Sequence, residues 1–103
     1  MNKIMPIRLS KSVYCLLDHT NIGIIEDVDY LILVDSGLNS ENASEIDKLI
    51  QNIFNKKISA IINTHSNADH AGGNKFFSEK YNCKIYATSK EAAFLENPYL
   101  ESA

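Results

Sequence analysis

The chain has 103 residues, of which 45% are hydrophobic and 22% are charged. A chain of this size buries somewhat more than ~60% of its unfolded surface, so it can form one small core, and its composition argues against disorder or a fibrous repeat. The formal net charge of -3 comes from 13 acidic and 10 basic side chains that are interleaved along the sequence. This even distribution excludes the charged runs typical of proteins that bind nucleic acids or anionic membranes.

No targeting or membrane segment is evident in the sequence. Residues 1–9 lack the apolar stretch of a signal peptide, and no segment reaches the ~20 apolar residues of a membrane helix. We therefore expect a cytoplasmic protein. Cys15 and Cys83 each lie in an apolar stretch far from the other, which favours small buried hydrophobes over a redox pair or zinc ligands. No repeat or linker divides residues 1–103, which are expected to form a single domain.

Hydrophobic periodicity predicts the secondary structure in chain order. Alternating and continuous apolar runs predict three strands that open the chain as a β meander, over residues 12–17, 21–26 and 30–34. The clearest helix covers residues 42–54, where apolar residues recur at helical spacing, and Ser40 is its predicted N-cap. The remaining elements are a strand over 58–63, a polar loop over 64–73, a helix over 74–81, a strand over 84–87 and a helix over 89–95.

Two of the predicted strands contain continuous apolar runs, Leu31 to Val34 and Ala60 to Ile62. Strands of this kind are usually covered on both faces. The predicted helices can cover one face of the sheet, and the sequence offers no obvious second layer for the other. We therefore expect an exposed sheet face through which the chain self-associates.

The predicted loop over residues 64–73 concentrates the candidate chemistry. It places two histidines, an aspartate and an amide directly after a buried strand, where sites in α/β proteins are commonly found. If the strand direction continues briefly into the loop, the side chains of His65 and Asn67 point the same way and could share a metal. Asp69 and His70 lie where the chain turns toward the next helix, so they would diverge from that pair and could serve a second ion ~3.5–4 Å away.

Gly72 and Gly73 follow these residues immediately before a predicted helix. Glycine lets the backbone pass close to a crowded site, and the free amides of a helix start favour an anion such as a substrate carboxylate or phosphate. The run from His65 to Gly73 reads HSNADHAGG, which resembles the His-x-His-x-Asp-His-x-Gly-Gly signature of the metallo-β-lactamase superfamily. The opening β meander and the turn Asp35-Ser36-Gly37 are also similar to that family.

The resemblance implies an α/β (α+β) fold, namely the amino-terminal half of an αββα sandwich, with a mixed sheet and helices on one face. It implies one or two zinc ions, with His65 at the first metal position and Asp69 and His70 at the second. A metal-bound hydroxide would attack an ester, thioester, amide or phosphoester of a small-molecule substrate. Asp69 would also act in catalysis by orienting that hydroxide, and Asp35 would fix the ligand loop without binding metal.

Two departures from the family pattern limit what the resemblance implies. Asn67 stands where the signature has its second histidine, and its amide oxygen is a weaker zinc ligand, so the first position is expected to be weak, empty or selective for another divalent metal. Asn67 is equally consistent with a loop residue that bonds its own backbone. The family's later ligands fall beyond residue 103, so this chain alone is expected to be inactive.

Two functions remain open from the sequence. The first is a metal-dependent hydrolase of this superfamily, of which the chain supplies part of the site. The second is a non-catalytic relative that serves binding or regulation and holds at most one metal weakly, as Asn67 suggests.

Overall fold

The computed structural model describes residues 5–17, 21–64, 71–87 and 100–102. The strands form one sheet whose spatial order follows the chain. The elements are β1 (Ile7–Arg8), β2 (Val13–Leu17), β3 (Asn21–Glu26), β4 (Tyr30–Val34), α1 (Ser40–Ile53), β5 (Lys57–Ile62), α2 (Asn74–Tyr81), β6 (Lys84–Ala87) and β7 (Leu100–Ser102). Strands β1 to β4 pair antiparallel and β4 to β7 pair parallel, so the sheet is mixed as expected.

Most of the predicted elements are confirmed. Strands β3, β4 and β6 and helix α2 have the predicted bounds, whereas β2 begins one residue later and β5 lies one residue earlier than predicted. The helix predicted over 89–95 lies outside the described residues. The sequence did not predict β1 and β7, because segments of two or three residues are too short to show an alternating pattern.

Helix α1 begins earlier than predicted, and the predicted N-cap is wrong. Asn39, rather than Ser40, caps the helix, since its side-chain Oδ1 accepts a hydrogen bond of 2.8 Å from the backbone N–H of Asn42. The Asn42 side chain in turn accepts a bond of 2.8 Å from the backbone N–H of Leu38. Asparagine and serine are comparable caps, so neighbouring candidates cannot be separated by residue type alone.

The helices cover one face of the sheet, as predicted. Alternate strand residues point toward α1 and α2 and are fully or almost fully buried with them in one cluster, which contains Leu16, Ile22, Ile24, Leu31, Leu33, Ala43, Ile46, Ile50, Ile58, Ile61, Phe77, Cys83 and Ile85. Tyr14 closes one side of this core through an edge contact with Phe54, with ring centroids 5.0 Å apart. Burial of these side chains is what holds the layer together.

The opposite face of the sheet is also apolar. One row of register partners crosses six strands through Ile7, Cys15, Gly23, Val34, Ile62 and Tyr86. A neighbouring row contains Val13, Ile25, Ile32 and Ala60. Both described helices lie on the other side, and Leu17 on this face remains 51% exposed. Cys15 therefore lies on this face and is half-buried, whereas Cys83 is buried as predicted.

A buried carboxylate joins the two helices. The Asp47 side chain on α1 is 1% exposed, accepts a hydrogen bond of 2.6 Å from the Tyr81 hydroxyl and forms an ion pair with Lys80. Gln51 also donates to Asp47 at 3.3 Å. Burial, followed by the hydrogen bond and the charge of Asp47, holds the pKa of Tyr81 well above its usual value.

Within the described ranges, no helix has the length and apolarity needed to cross a membrane.

Candidate metal centre

The turn that follows β4 contacts the residues on both sides of the predicted ligand segment, residues 65–70. Its residues Asp35, Ser36 and Gly37 are all buried, and Asp35 and Gly37 have positive φ angles of 68° and 96°. Aspartate tolerates this left-handed conformation better than most side chains, and glycine has no penalty there. The backbone N–H of Asp35 donates to the Ile62 carbonyl at 2.8 Å, which fixes the turn against the end of β5.

The Asp35 carboxylate holds the residue that enters the predicted ligand segment, residues 65–70. Its Oδ1 accepts a bond of 2.8 Å from the Thr64 backbone N–H, and its Oδ2 accepts one of 2.7 Å from the Thr64 hydroxyl. Bonds from neutral donors to a buried carboxylate are stronger than those between neutral groups. Thr64, which directly precedes His65, is thus fixed in position by both oxygens of one side chain.

The same turn also holds the chain where it leaves the ligand segment. The backbone N–H of Gly72 donates to the Gly37 carbonyl at 2.9 Å, and Ala71 forms a β-bridge with Gly37. Gly73 packs so closely that a Cβ atom there would lie 2.1 Å from the Ser36 carbonyl oxygen. The residues on either side of the ligand segment are therefore both held by the three residues of one buried turn.

Three buried polar side chains lie beneath these contacts. Ser36, Asn63 and Asn74 are at most 6% exposed and bond to one another, with the Ser36 hydroxyl donating to Asn74 Oδ1 at 2.7 Å. This cluster was not predicted from the sequence. Asn63 was predicted as the last residue of a strand and Asn74 as the first residue of a helix, and neither position distinguishes a buried side chain from an exposed one.

The structure brings together only part of the predicted site. Asp35, Gly72 and Gly73 meet around the turn, whereas His65, Asn67, Asp69 and His70 lie outside the described residues. Within the part of the chain that is described, no three side chains of the metal-binding types come together. The N-cap of α2 is Gly73, which has no side chain to bond the first amides of that helix.

The donor set of the ligand segment fits zinc in part. Two imidazoles and one carboxylate are ordinary zinc ligands, and the segment that carries them is held at both ends. A closed tetrahedral site needs four ligands, and a catalytic one needs three from the protein. The amide of Asn67 is the remaining potential metal ligand in the segment, and it suits harder divalent ions than zinc.

Comparison with known proteins gives a family match over most of the chain. The metallo-β-lactamase superfamily model matches residues 16–103. A hydroxyacylglutathione hydrolase from Thiobacillus denitrificans (strain ATCC 25259 / T1) is 32% identical over 66 residues, which is 64% of this chain and 24% of that protein. The matched part thus spans about a quarter of that curated relative.

Solved structures share the fold. MEM-A1, a subclass B3 metallo-β-lactamase from a soil metagenome library, superposes with a TM-score of 0.83 at 19% identity, covering 95% of this chain and 45% of the other. A metallo-β-lactamase from Hirschia baltica superposes with a TM-score of 0.75 at 24% identity, covering 92% of this chain and 48% of the other. The chain spans less than half of each solved protein, and its sheet and helices correspond to one half of their sandwich. From the matched residues and this shared architecture, the chain belongs to the metallo-β-lactamase superfamily.

Proposed function

We propose that the chain supplies part of the metal site of a hydrolase that cleaves an ester, thioester, amide or phosphoester in a small-molecule substrate. The observation that carries this proposal is the attachment of both ends of residues 65–70 to one buried turn, through Asp35 to Thr64 and through Gly37 to Gly72. Fixing the residues on either side of a ligand segment lowers the conformational entropy that binding an ion would otherwise cost. The name of the curated relative, a hydrolase, supports the same reaction class.

The residues of the segment take separate roles in this proposal. His65 belongs to a first metal position, and Asp69 and His70 to a second. Bound zinc supplies the acidity that lowers the pKa of water to about 7. Asp69 would also orient the attacking water, and Asp35 holds Thr64, the residue that precedes His65. Asn67 leaves the first position weak or suited to another divalent ion.

A second function is favoured by Asn67 alone. If the first position is empty, the fold serves as a binding or regulatory module with one weakly held ion. The two functions differ in metal stoichiometry and in whether the rest of a longer chain supplies further histidine and aspartate ligands. A catalytic zinc ion needs three protein ligands, and in this assignment neither metal position receives three from residues 65–70.

Zinc content tests the proposal directly. After dialysis of the 103-residue chain against trace zinc, elemental analysis should find close to one zinc per chain, completed by water or a neighbouring molecule. Changing His70 to alanine should weaken binding at least tenfold, because one of the two ligands of the second position is lost. His19→Ala is the matched control, since His19 is the one histidine outside the segment and should leave the zinc content unchanged.

Two results would contradict the metal site. An unchanged chain that retains no more zinc than the His70→Ala variant after dialysis would leave the segment without a metal function. A His19→Ala variant that loses as much zinc as His70→Ala would indicate adventitious binding to any histidine.

We also propose that the 103-residue chain self-associates through its second apolar sheet face. In the solved relatives more than half of the chain has no counterpart in these 103 residues, and the face carries an uninterrupted row of apolar register partners. A second copy would remove that surface from water.

We further propose a cytoplasmic location, which the two unpaired cysteines support.

Sedimentation velocity tests self-association. The weight-average sedimentation coefficient of the chain should rise with concentration, and Val34→Lys should suppress that rise by placing a charge at the centre of the face. Lys84→Glu, at the margin of the face, is the control for a change of charge alone. A coefficient that stays monomeric across the concentration range would overturn the proposal.

A further inference from the structure

We propose that Ser36, Asn63 and Asn74 form a positioning network that sets the two ends of residues 65–70 in register with each other. The inference rests on the proposed metal function of that segment, and it goes beyond it by assigning a role to three side chains outside the signature. Their juxtaposition at the base of the segment is the observation from which it starts.

The side-chain amides of the two asparagines form two reciprocal hydrogen bonds. Asn74 Nδ2 donates to Asn63 Oδ1 at 2.7 Å, and Asn63 Nδ2 donates to Asn74 Oδ1 at 3.2 Å. The Ser36 hydroxyl adds a third bond to Asn74 Oδ1. Asn63 is the residue after β5 and Asn74 is the first residue of α2, so the pair joins the strand that leads into the segment to the helix that follows it.

The burial of this network argues that it serves orientation. Asn63 and Asn74 are 2% and 6% exposed, and Ser36 is fully buried. Apolar side chains of similar volume would join a strand and a helix without the desolvation of two amides and a hydroxyl. An amide pair differs from such packing because its two antiparallel bonds fix both the separation and the rotation of the groups that it joins.

The network lies directly beside the contacts that hold the segment. Asn63 precedes Thr64, whose N–H and hydroxyl bond to Asp35, and Asn74 follows Gly73, which packs on the Ser36 carbonyl. Without the amide pair, the entry and the exit of the segment would be held to the turn separately and could shift relative to each other. His65 follows Thr64 and His70 precedes Ala71 in the sequence, so we expect a shift between the two ends to weaken metal binding by the segment.

Hydrogen exchange and cobalt binding together test the network. In Asn74→Leu, the backbone amides of Thr64 and Gly72 should exchange at least tenfold faster than in the unchanged chain, and the dissociation constant for cobalt(II), followed by its visible absorption, should rise about tenfold. Ser36→Ala removes one bond and keeps the amide pair, so both effects should be smaller. It also provides a second variant if Asn74→Leu does not fold.

The control must separate positioning from a general loss of stability. Ile50 is fully buried in α1, away from the turn, and either Ile50→Val or Ile50→Ala is chosen to match the denaturation midpoint of the Asn74 variant. The control should leave cobalt affinity unchanged. If the control speeds hydrogen exchange of the two amides and weakens cobalt binding as much as Asn74→Leu does, the network is only structural and the inference fails.

The proposed function and this inference fail differently. The metal function is overturned and the network retained if the unchanged chain binds no cobalt but Asn74→Leu still raises the hydrogen-exchange rates of the Thr64 and Gly72 amides above those of the Ile50 control. An unchanged chain that binds cobalt as tightly as Asn74→Leu and Ser36→Ala would overturn the network and retain the metal function.

Discussion

Replacing Gly73 with alanine is expected to destabilise the fold by about 3 kcal/mol, at the upper end of what overpacking costs. The added Cβ would lie 2.1 Å from the Ser36 carbonyl oxygen and 2.7 Å from the Ala43 Cβ atom. The backbone of Gly73 has a negative φ of -93°, which does not require glycine, so the loss comes mainly from the clash. Since the Ser36 carbonyl belongs to the buried turn, relief requires the turn and the start of α2 to separate.

Urea denaturation monitored by circular dichroism measures the Gly73→Ala effect. Glu79→Ala is the matched control, because it introduces the same side chain at an exposed position of α2 and should change stability by less than about 0.5 kcal/mol. A Gly73→Ala protein as stable as this control would show that the turn and the start of α2 leave room for a Cβ atom.

Removing the positive charge of Lys80 is expected to destabilise the fold by about 3 kcal/mol, the cost of leaving a buried carboxylate without its cation. The Asp47 side chain is 1% exposed in the unchanged protein, and in Lys80→Met the donors described for it are the neutral groups of Tyr81 and Gln51. Asp47→Asn should cost less, about 1 kcal/mol, because Lys80 is 49% exposed and can be hydrated, and the amide oxygen can still accept from Tyr81.

The order of these two effects is the informative result. Lys75→Met controls for loss of a lysine at an exposed position of the same helix and should be nearly neutral. Thermal denaturation of the three variants at neutral pH gives the comparison. If Asp47→Asn is more destabilising than Lys80→Met, the carboxylate matters mainly as a hydrogen-bond acceptor, and the account of a charge held in place by Lys80 is wrong.

The sequence predicted the central elements of the fold because their patterns are long and strong. Strands β3 and β4 and helix α2 have the predicted bounds, and helical spacing located α1 to within two residues at its start. Its N-cap was assigned to Ser40 because Asn39 and Ser40 are both good caps, and only the hydrogen bond from Asn42 separates them. Edge strand β1 was missed because two residues carry no period.

The candidate site could be predicted only where residue type itself carries the chemistry. The role of Asp35 was assigned from the resemblance and the close approach at Gly72 and Gly73 from residue type, and the structure brings these residues together. The network of Ser36, Asn63 and Asn74 could not be predicted, because its members are 27 and 11 residues apart in sequence and each has an ordinary residue type for its position. Pairing across that distance depends on the parallel crossover between β4 and β5.

Zinc K-edge X-ray absorption of the metal-loaded chain tests the central claim, that residues 65–70 bind metal, most directly. Nitrogen and oxygen ligands at about 2.0–2.1 Å are expected, with the outer-shell scattering of imidazole, and this imidazole contribution should fall in His70→Ala and persist in His19→Ala. Sulfur at about 2.3 Å would instead assign the metal to Cys15 or Cys83. An oxygen-only shell that is the same in both variants would also contradict the account.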